Sequence, residues 1–357
     1  ERHAPAVLLL DQVRALQASG VVDSVAIADQ LNNFIPPSMW TPENTPLASL
    51  FADPDSPADA YTTLGYVTGA VPGMPLAMMT DSIRRQPAEV IQSMLTLANM
   101  SEGQAMFLIG GGEQKQCRAY GHKRVEGLAR MEDLFRLFHL LWDTNGPVDH
   151  QGHHTTFKNA YLGSAKQHKP KLWGLGSGPK LLDLVTSHCE GLAVATPCVW
   201  ATPQQAGEHI REIKVQLAAK GRDPDSFGFG IVSPLLVHED AAVIERALDN
   251  PLTRWIAAVF GRIDPNDWAK DDLEAPVPLD WRYFLHLVPY NEKPEFIAEV
   301  LRKSTREHAR KGFICGNAKE VAEQLQAYVD AGVNWVMPVD YLPILLPPEE
   351  GSAGLQR

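Results

Sequence analysis

MFLIGGGE, the stretch at residues 106–113, is an apolar run that ends in three glycines and a carboxylate. Glycines at the C-terminal end of a strand let backbone N–H groups approach a ligand closely, because they carry no Cβ atom. The carboxylate of Glu113 follows directly, so it would face whatever occupies that space. In a barrel of alternating strands and helices, the active site lies at this end of the strands. The stretch therefore predicts a barrel strand and a ligand-facing turn.

Strand and helix patterns alternate on both sides of this stretch. Strands are predicted at Val22–Ala28, Met74–Thr80, Gln104–Ile109, Lys171–Leu175, Gly191–Ala195, Phe227–Val237 and Val333–Val339. Helices are predicted at Val7–Ser19, Ala58–Ala70, Pro87–Met100, Arg124–Trp142, Pro179–Ser187, Pro203–Lys220, Pro294–Lys311 and Ala318–Ala331. Because the chain opens on a helix pattern, we expect a first strand before residue 1, missing from the given N-terminus. Such units predict an α/β fold of the (β/α)8 TIM-barrel class, with a doubly wound sheet as the alternative.

Two segments are longer than a minimal barrel requires. The segment at about 32–57 is rich in proline and follows a predicted strand directly. The segment at about 249–290 is rich in tryptophan, proline and acidic residues. Long loops of compact domains commonly cover or bind ligands. We therefore predict one domain over residues 1–357, with a βα-loop excursion at the first segment and an insertion at the second.

Composition argues against several classes of protein. The net charge is −11 and no long basic block is present, which argues against a nucleic-acid surface. No apolar stretch approaches the roughly 20 residues that cross a bilayer. The four cysteines form no CxxC pair, which is typical of a reducing compartment. We expect a cytoplasmic protein with no membrane span and no nucleic-acid partner.

The stretch GLGSGPK, at residues 174–180, joins a predicted strand directly to a predicted helix. Free backbone N–H groups and the helix dipole at such a junction favour a bound phosphate. Neither GxxxxGK[ST] nor a complete GxGxxG is present. The stretch predicts an anion site at Gly176, Ser177, Gly178 and Pro179. The alternative is a tight turn that simply needs glycine.

Polar residues also end two other predicted strands. Asp29 and Gln30 follow one of them, and Thr80 and Asp81 end the next. Their shared placement at strand C-termini predicts that they belong to one functional edge.

A cluster of three histidines invites a metal interpretation. His150, His153 and His154 have no acidic or cysteine partner at a spacing typical of metal ligands. The surrounding stretch at 148–157 alternates like a surface hairpin. We therefore predict no metal site.

Taken together, the motifs resemble those of luciferase-like flavin and deazaflavin oxidoreductases. Residues 22–30 resemble the family's GFDSVWVxDH strand, and residues 80–88 its T…RxPA turn. Residues 110–113 resemble GxGE, 173–179 resemble W…GxGP, and 331–333 match AG(V/I). These matches occur in order over about 20–340, which is nearly the whole chain.

The resemblance is strongest to the coenzyme F420-dependent branch, which includes phthiodiolone ketoreductase-like proteins. The branch motif GE…YG is similar to residues 112–113 and 120–121, and DHLNxxxP is similar to residues 29–36. The resemblance implies a deazaflavin ring at the strand C-termini and hydride transfer at its C5 atom. It also implies an unusual cis peptide bond near Ala77–Met78, and a homodimer. The cofactor-binding residues that it implies are Asp29, Ala77, Met78, Thr80, Gly111, Gly112, Gly176, Ser177, Gly178, Pro179 and Thr196.

One position departs from the family pattern. The family usually has a histidine where this chain has Gln30, and an amide is not a general acid or base near neutral pH. We therefore take Glu113 and Gln30 as the catalytic candidates, with Glu113 as the proton carrier. Burial beside a ring would favour the protonated acid that can donate. The alternative is that Glu113 only orients the backbone or Gln30.

Three functions follow from the resemblance. The first is an F420-dependent oxidoreductase that acts on a carbonyl, an alcohol or an activated double bond. The second is an FMNH2-dependent flavin monooxygenase, with FMN as cofactor, and the third a non-catalytic flavin-binding protein. Basic residues at the opening of the predicted active site would favour binding of the acidic tail of F420. The tryptophans of the insertion suggest an apolar small-molecule substrate. The basic candidates are Lys115, Arg118, Lys123 and Arg124.

Overall fold

The structure is a computed structural model that describes residues 6–55 and 57–351. These residues form two compact units. The first unit contains residues 6–31, 55 and 57–192, and the second contains residues 32–54 and 193–351. The strand expected before residue 1 lies outside the described residues. A single domain over 1–357 stays a prediction.

The first unit alternates strands and helices along the chain. Its strands are β1 Val25–Ala28, β2 Leu76–Asp81, β3 Ala105–Gly110, β4 Val148–Gln151, β5 Thr156–Ala160 and β6 Lys171–Leu175. Its helices are α1 Ala6–Ser19, α2 Ala60–Ala70, α3 Pro87–Met100, α4 Gln114–Cys117, α5 Gly127–Asp143 and α6 Pro179–His188. A further strand, β7 Gly191–Ala195, spans the boundary between the units.

Four of these strands pair in parallel, in the order β1, β2, β3 and β6. Their register brings Ala28 opposite Met79, Asp81 opposite Gly110, and Gly110 opposite Leu175. Because parallel strands run in one direction, their C-terminal ends share one edge. The residues that follow these strands are therefore neighbours, as the sequence predicts.

The helices pack by an apolar face. Helix α3 has a proline at its first turn and begins where the sequence predicts. Each large apolar side chain that it buries stabilises the fold by about 1.5–3 kcal/mol. The buried positions on this face include Val90, Ile91, Met94, Leu95 and Ala98. None of the helices within the described ranges is long and apolar enough to cross a membrane.

The predicted surface hairpin is confirmed. Strands β4 and β5 pair in an antiparallel manner, and the carboxylate of Asp133 accepts the backbone N–H groups of His153 and His154, both at 2.7 Å. Asp133 is buried, so one carboxylate of α5 fixes the hairpin turn.

The second unit contains the remaining strands and helices. Its strands are β8 Gly228–Val237, β9 Ile314–Gly316 and β10 Trp335–Asp340. Its helices are α7 Pro203–Ala219, α8 Ala241–Asp249, α9 Pro251–Phe260, α10 Tyr283–His286, α11 Pro294–Lys303, α12 Arg306–Gly312, α13 Ala318–Asp330, α14 Leu342–Leu345 and α15 Pro348–Gly351. Both β9 and β10 pair in parallel with β8.

Two details of the second unit differ from the sequence prediction. The single helix expected at 294–311 is two helices, because Ser304 is extended and the side chain of Thr305 caps a new helix through the N–H of His308. The strand β9 was not predicted. It has three residues, which is too short for a recognisable period.

The two long segments share one hydrophobic core of the second unit. The indole Nε1 of Trp255 donates to the carbonyl of Phe34 at 2.8 Å, and Asn250 Nδ2 donates to the carbonyl of Asn44 at 2.9 Å. The proline-rich segment is therefore a packed part of this unit. The prediction described both segments as additions to a barrel, and their mutual packing was not foreseen.

Candidate active site at the strand ends of the first unit

Four polar residues form a buried group at the ends of β1 and β2, which we call the strand-end cluster: Asp29, Thr80, Asp81 and Arg84. The hydroxyl of Thr80 donates to Asp29 Oδ2 at 2.8 Å. Arg84 Nη2 lies 3.0 Å from the same Asp29 oxygen, and Arg84 Nε pairs with Asp81. The side chain of Arg84 is 8% exposed, so one guanidinium joins two carboxylates away from water.

Local chain geometry places the guanidinium. Asp81 Oδ1 accepts the backbone N–H groups of Ile83 at 2.8 Å and Arg84 at 2.9 Å, which closes a tight turn after β2. Arg84 also donates to the backbone carbonyl of Asp29. Burial alone would lower the pKa of Arg84, but Asp81 and then Asp29 raise it, and the net effect is a rise. The cluster therefore holds the Arg84 guanidinium between two carboxylates, and it fixes the backbone next to Gln30.

Tyr61 and Arg85 border the cluster, and sequence reasoning missed Tyr61. The guanidinium of Arg85 lies 4.4 Å from the centre of the Tyr61 ring, while Arg85 also pairs with Asp59. Burial and then the Asp29 carboxylate raise the pKa of Tyr61. The Thr80 hydroxyl offsets part of this rise, yet the Tyr61 oxygen has no partner of hydrogen-bond geometry among the described residues.

Glu113, the predicted proton carrier, lies just beyond β3 and precedes the short helix α4. Its Oε2 atom is 2.7 Å from the Nζ atom of Lys115. The side chain of Lys115 is 0% exposed, whereas that of Glu113 is 27% exposed. The expectation that Lys115 contributes to a basic mouth is therefore wrong, because its ammonium faces inward and binds Glu113. Arg118 and Lys123 are largely exposed.

Gln30 and the Glu113 segment are joined by a contact that the sequence did not predict. The backbone N–H of Leu31 donates to Oε1 of Gln116 at 2.6 Å, over a separation of 85 residues. Gln116 is buried and lies on α4. Gln30 is half-buried immediately before this contact. The structure therefore brings together the loops that carry both predicted catalytic residues.

The three glycines after β3 have a packing explanation within the first unit. A Cβ on Gly112 would lie 2.5 Å from Cδ1 of Ile83, and one on Gly110 would lie 3.3 Å from the carbonyl oxygen of Leu175. A Cβ on Gly111 would lie 3.4 Å from Cδ2 of Leu128. Protein atoms occupy the space that side chains would need, so the glycines by themselves carry no argument for a bound ring.

The glycine turn after β6 fits an anion. Gly176 and Gly178 have φ values of +123° and +106°, which favour glycine. No atom outside the turn lies within 4 Å of a Cβ at Gly178, and helix α6 begins at Pro179 with no side-chain cap. Lys180 is exposed in the first turn of α6. Backbone N–H groups with an adjacent ammonium are the donors that a phosphate requires.

The predicted cis peptide bond at Ala77–Met78 is wrong. Within the described residues the cis peptide bond is Thr196–Pro197. Ala77 and Met78 lie inside β2 and pair with β1 and β3 on both sides, and a non-proline cis bond costs about 2.5–4 kcal/mol. Thr196 was also predicted to bind the cofactor, and it belongs to the second unit. Its hydroxyl is buried without a hydrogen-bond partner among the described residues.

The histidines of the hairpin serve local contacts. His153 Nε2 lies 3.2 Å from Glu132, and His154 Nδ1 lies 3.8 Å from Glu126. Within residues 6–55 and 57–351, no group of three histidine, cysteine or acidic residues is arranged to hold a metal ion.

Comparison with known proteins finds a family model, related sequences and solved structures that match most of this chain. The family model for luciferase-like monooxygenases matches residues 10–334. A phthiodiolone/phenolphthiodiolone dimycocerosates ketoreductase from Mycobacterium kansasii is 24% identical over 345 residues, covering 95% of this chain and 92% of that protein. A solved F420-dependent secondary alcohol dehydrogenase with an F420–acetone adduct has a TM-score of 0.71 at 18% identity, covering 94% of this chain and 90% of that one.

A second solved structure extends the comparison to flavin enzymes. A riboflavin lyase with modified FMN and riboflavin has a TM-score of 0.65 at 16% identity, covering 96% of this chain and 82% of that one. Together these matches confirm the predicted luciferase-like (β/α)8 fold class.

Proposed function

This chain belongs to the luciferase-like monooxygenase family, and we propose that it is a coenzyme F420-dependent oxidoreductase. In this proposal it transfers a hydride between the deazaflavin C5 atom and an organic substrate. The substrate is a carbonyl compound or the corresponding alcohol, or else an activated double bond. The relative named as a ketoreductase and the F420-dependent alcohol dehydrogenase both support a carbonyl substrate.

One structural relationship carries the proposal. The neighbouring strands β3 and β6 end in complementary features, an ionisable pair at Glu113 and a glycine turn at residues 176–179 to which we assign a phosphate. A phosphorylated redox cofactor needs a phosphate site and, for carbonyl reduction, a proton source nearby. The strand ends of the first unit supply both types of group.

The residues of the site fit the cofactor's requirements. Backbone N–H groups at Gly176, Ser177 and Gly178, before Pro179, would hold the phosphate. The reduced deazaflavin, when bound, supplies the hydride. We assign Asp29, Thr80, Gly111 and Gly112 to the ring side, whereas Ala77 and Met78 are fully buried inside β2 and lose that assignment.

The catalytic assignments follow from side-chain chemistry. Glu113 holds or accepts the proton that the substrate oxygen gains or loses, because Gln30 cannot do so. The Gln30 amide can donate one hydrogen bond to an oxygen and accept another, so it orients the substrate or the ring. We further propose an apolar small-molecule substrate, a homodimer and a cytoplasmic location.

Cofactor titration tests the proposal. Purified protein is titrated with F420 and, separately, with FMN, and fluorescence is followed. We expect F420 to bind more tightly than FMN, and reduced F420 to be oxidised by an aliphatic methyl ketone. Micromolar FMN affinity with no F420 binding would favour the alternative, an FMNH2-dependent monooxygenase. Binding of either cofactor without turnover of any probe would favour a non-catalytic flavin-binding protein.

A pair of charge reversals tests the phosphate turn. Lys180→Glu should weaken F420 binding by roughly tenfold, because it puts a negative charge beside the anion site. Lys171→Glu is the matched control, since Lys171 is also exposed but lies at the opposite end of β6. Equal effects of the two variants would show that only net charge matters, and the turn would lose its assigned role.

A further inference from the structure

The phenol of Tyr61 is a buried hydrogen-bonding group beside the strand-end cluster. Its oxygen has no hydrogen-bond partner among the described residues, although the residue is only 8% exposed. Leaving a buried polar group unsatisfied costs stability, so most such groups in folded proteins are paired. The position of Tyr61 is therefore explained neither by packing alone nor by the hydrogen bonds that the described residues make.

The Tyr61 ring is held in place by its neighbours. Tyr61 is the second residue of α2, and the helix is capped by the side chain of Asp59. Arg85 pairs with Asp59, and its guanidinium lies 4.4 Å from the centre of the Tyr61 ring. The start of the helix and this guanidinium together fix the direction in which the phenol hydroxyl points.

Two members of the strand-end cluster act on this hydroxyl. Burial and then the negative charge of Asp29 raise the pKa of Tyr61, whereas the Thr80 hydroxyl lowers it. The net effect is a rise, so the phenol keeps its hydrogen at neutral pH and remains a donor. The hydroxyl of Tyr61 is thus a spare donor next to the bonded pair of Asp29 and Thr80.

The Asp29 carboxylate can accept a further hydrogen bond. Thr80 donates its one hydroxyl hydrogen to Asp29 Oδ2 at 2.8 Å. Arg84 Nη2 and Arg85 Nε approach the same oxygen, at 3.0 Å and 3.9 Å. None of these three contacts uses the second carboxylate oxygen, Oδ1. A donor from Tyr61 would therefore not have to displace an arginine.

We propose that Tyr61 is a positioning residue that serves as a reserve donor for Asp29 and thereby frees Thr80 to bind the cofactor. When Thr80 gives its hydrogen to a carbonyl oxygen of the ring, Tyr61 donates to Asp29 in its place. Binding then leaves no buried carboxylate short of a donor, and the idle phenol gains its partner. This inference rests on the proposed function, because it needs a ring with an acceptor oxygen at the end of β2.

Denaturant unfolding without any ligand tests the reserve donor. Tyr61→Phe removes only the phenol hydroxyl, so the unfolding equilibrium constant should stay unchanged or fall. Thr80→Val removes the donor to Asp29, and we expect that constant to rise only about threefold, because Tyr61 takes over. The double variant should unfold roughly tenfold more readily than the product of the two single effects. Thr80→Ser keeps the hydroxyl and should unfold like the wild type.

Two outcomes of these measurements would overturn the proposal. Strictly additive effects of Tyr61→Phe and Thr80→Val would show that the phenol does not replace the threonine. A marked rise of the unfolding constant in Tyr61→Phe alone would show that its hydroxyl already stabilises the fold, and Tyr61 would be assigned to structure.

Titration with F420 tests the role in binding. Tyr61→Phe should weaken F420 binding about tenfold without weakening the fold, a combination that a structural role does not produce. Tyr66→Phe is the matched control, since Tyr66 lies on the same helix and is 46% exposed. Equal F420 affinities of Tyr61→Phe and the wild type would contradict the inference. Failure of the wild type to bind F420 would instead reject the proposed function, and the unfolding measurements would still decide whether Tyr61 can replace Thr80 at Asp29.

Discussion

The backbone N–H of Leu31 donates to the side-chain oxygen of Gln116 at 2.6 Å, so a residue of α4 holds the loop that follows β1. This bond fixes the backbone next to Gln30. Asp29, on the other side, is fixed by Arg84 through both its carboxylate and its carbonyl. The position of Gln30 relative to the Glu113 segment therefore depends on Gln116.

Gln116→Met should loosen this loop while it preserves the size of the buried side chain. We expect turnover to fall by roughly 10- to 100-fold, because small displacements of catalytic groups are costly. The amide of Leu31 should exchange faster with solvent, and the free energy of unfolding should fall by about 1 kcal/mol. Gln114→Met on the same helix is the control, and unchanged Leu31 exchange in Gln116→Met would refute the link.

Glu113→Gln should remove the proton route while it leaves cofactor binding nearly intact. We expect turnover to fall by about 100-fold or more, with an unchanged dissociation constant for F420. Glu89→Gln, at an exposed position in the first turn of α3, is the matched control. Parallel losses of turnover and affinity would assign Glu113 to structure.

Arg84→Leu should be strongly destabilising, because it leaves Asp29 and Asp81 as buried carboxylates without their shared cation. Removal of one partner from a buried ion pair costs about 3–5 kcal/mol. Chemical denaturation should show a loss of this size, with partial recovery in Arg84→Lys. Arg14→Leu should change little, since the Arg14–Asp11 pair is more than half exposed on both sides. A small effect of Arg84→Leu would show that the cluster contributes little to stability.

His308 should make the fold sensitive to acid. Burial lowers the pKa of His308 below its ordinary value of 6.5, so the folded state keeps this imidazole neutral. As pH falls below 6.5, the unfolded chain takes up a proton before the folded chain does, and stability decreases until the folded pKa is passed. Unfolding free energies measured from pH 7.5 to 5 should show this slope, and His308→Gln should reduce it. An equal slope in the variant would place the titrating group elsewhere.

Much of the fold was predictable because its signals are local. Alternating apolar runs marked the strands that were predicted, and Pro87 and Pro179 marked two helix starts that the structure confirms. The common edge of β1, β2, β3 and β6 followed from parallel pairing alone. Strand β9 was not predicted, because three residues are too few to show the alternating apolar pattern of a strand.

The site was less predictable because its contacts join distant parts of the chain. Glu113 and Gln30 could be named from strand-end positions, but the bond between Leu31 and Gln116 spans 85 residues. Lys115 was misplaced because composition does not show which way a lysine on a short helix points. Tyr61 gave no signal, since an aromatic residue in a helix pattern is most simply explained as core.

The backbone on both sides of Gln30 is held by contacts to Asp29 and Leu31, and this determines what can be changed at position 30. Neither the Arg84 contacts to Asp29 nor the Gln116 contact to Leu31 involves the side chain at position 30. The side chain at position 30 can therefore be exchanged without loss of these contacts. Gln30→His would accordingly introduce a titrating ring at this strand end while the Arg84 and Gln116 contacts stay in place.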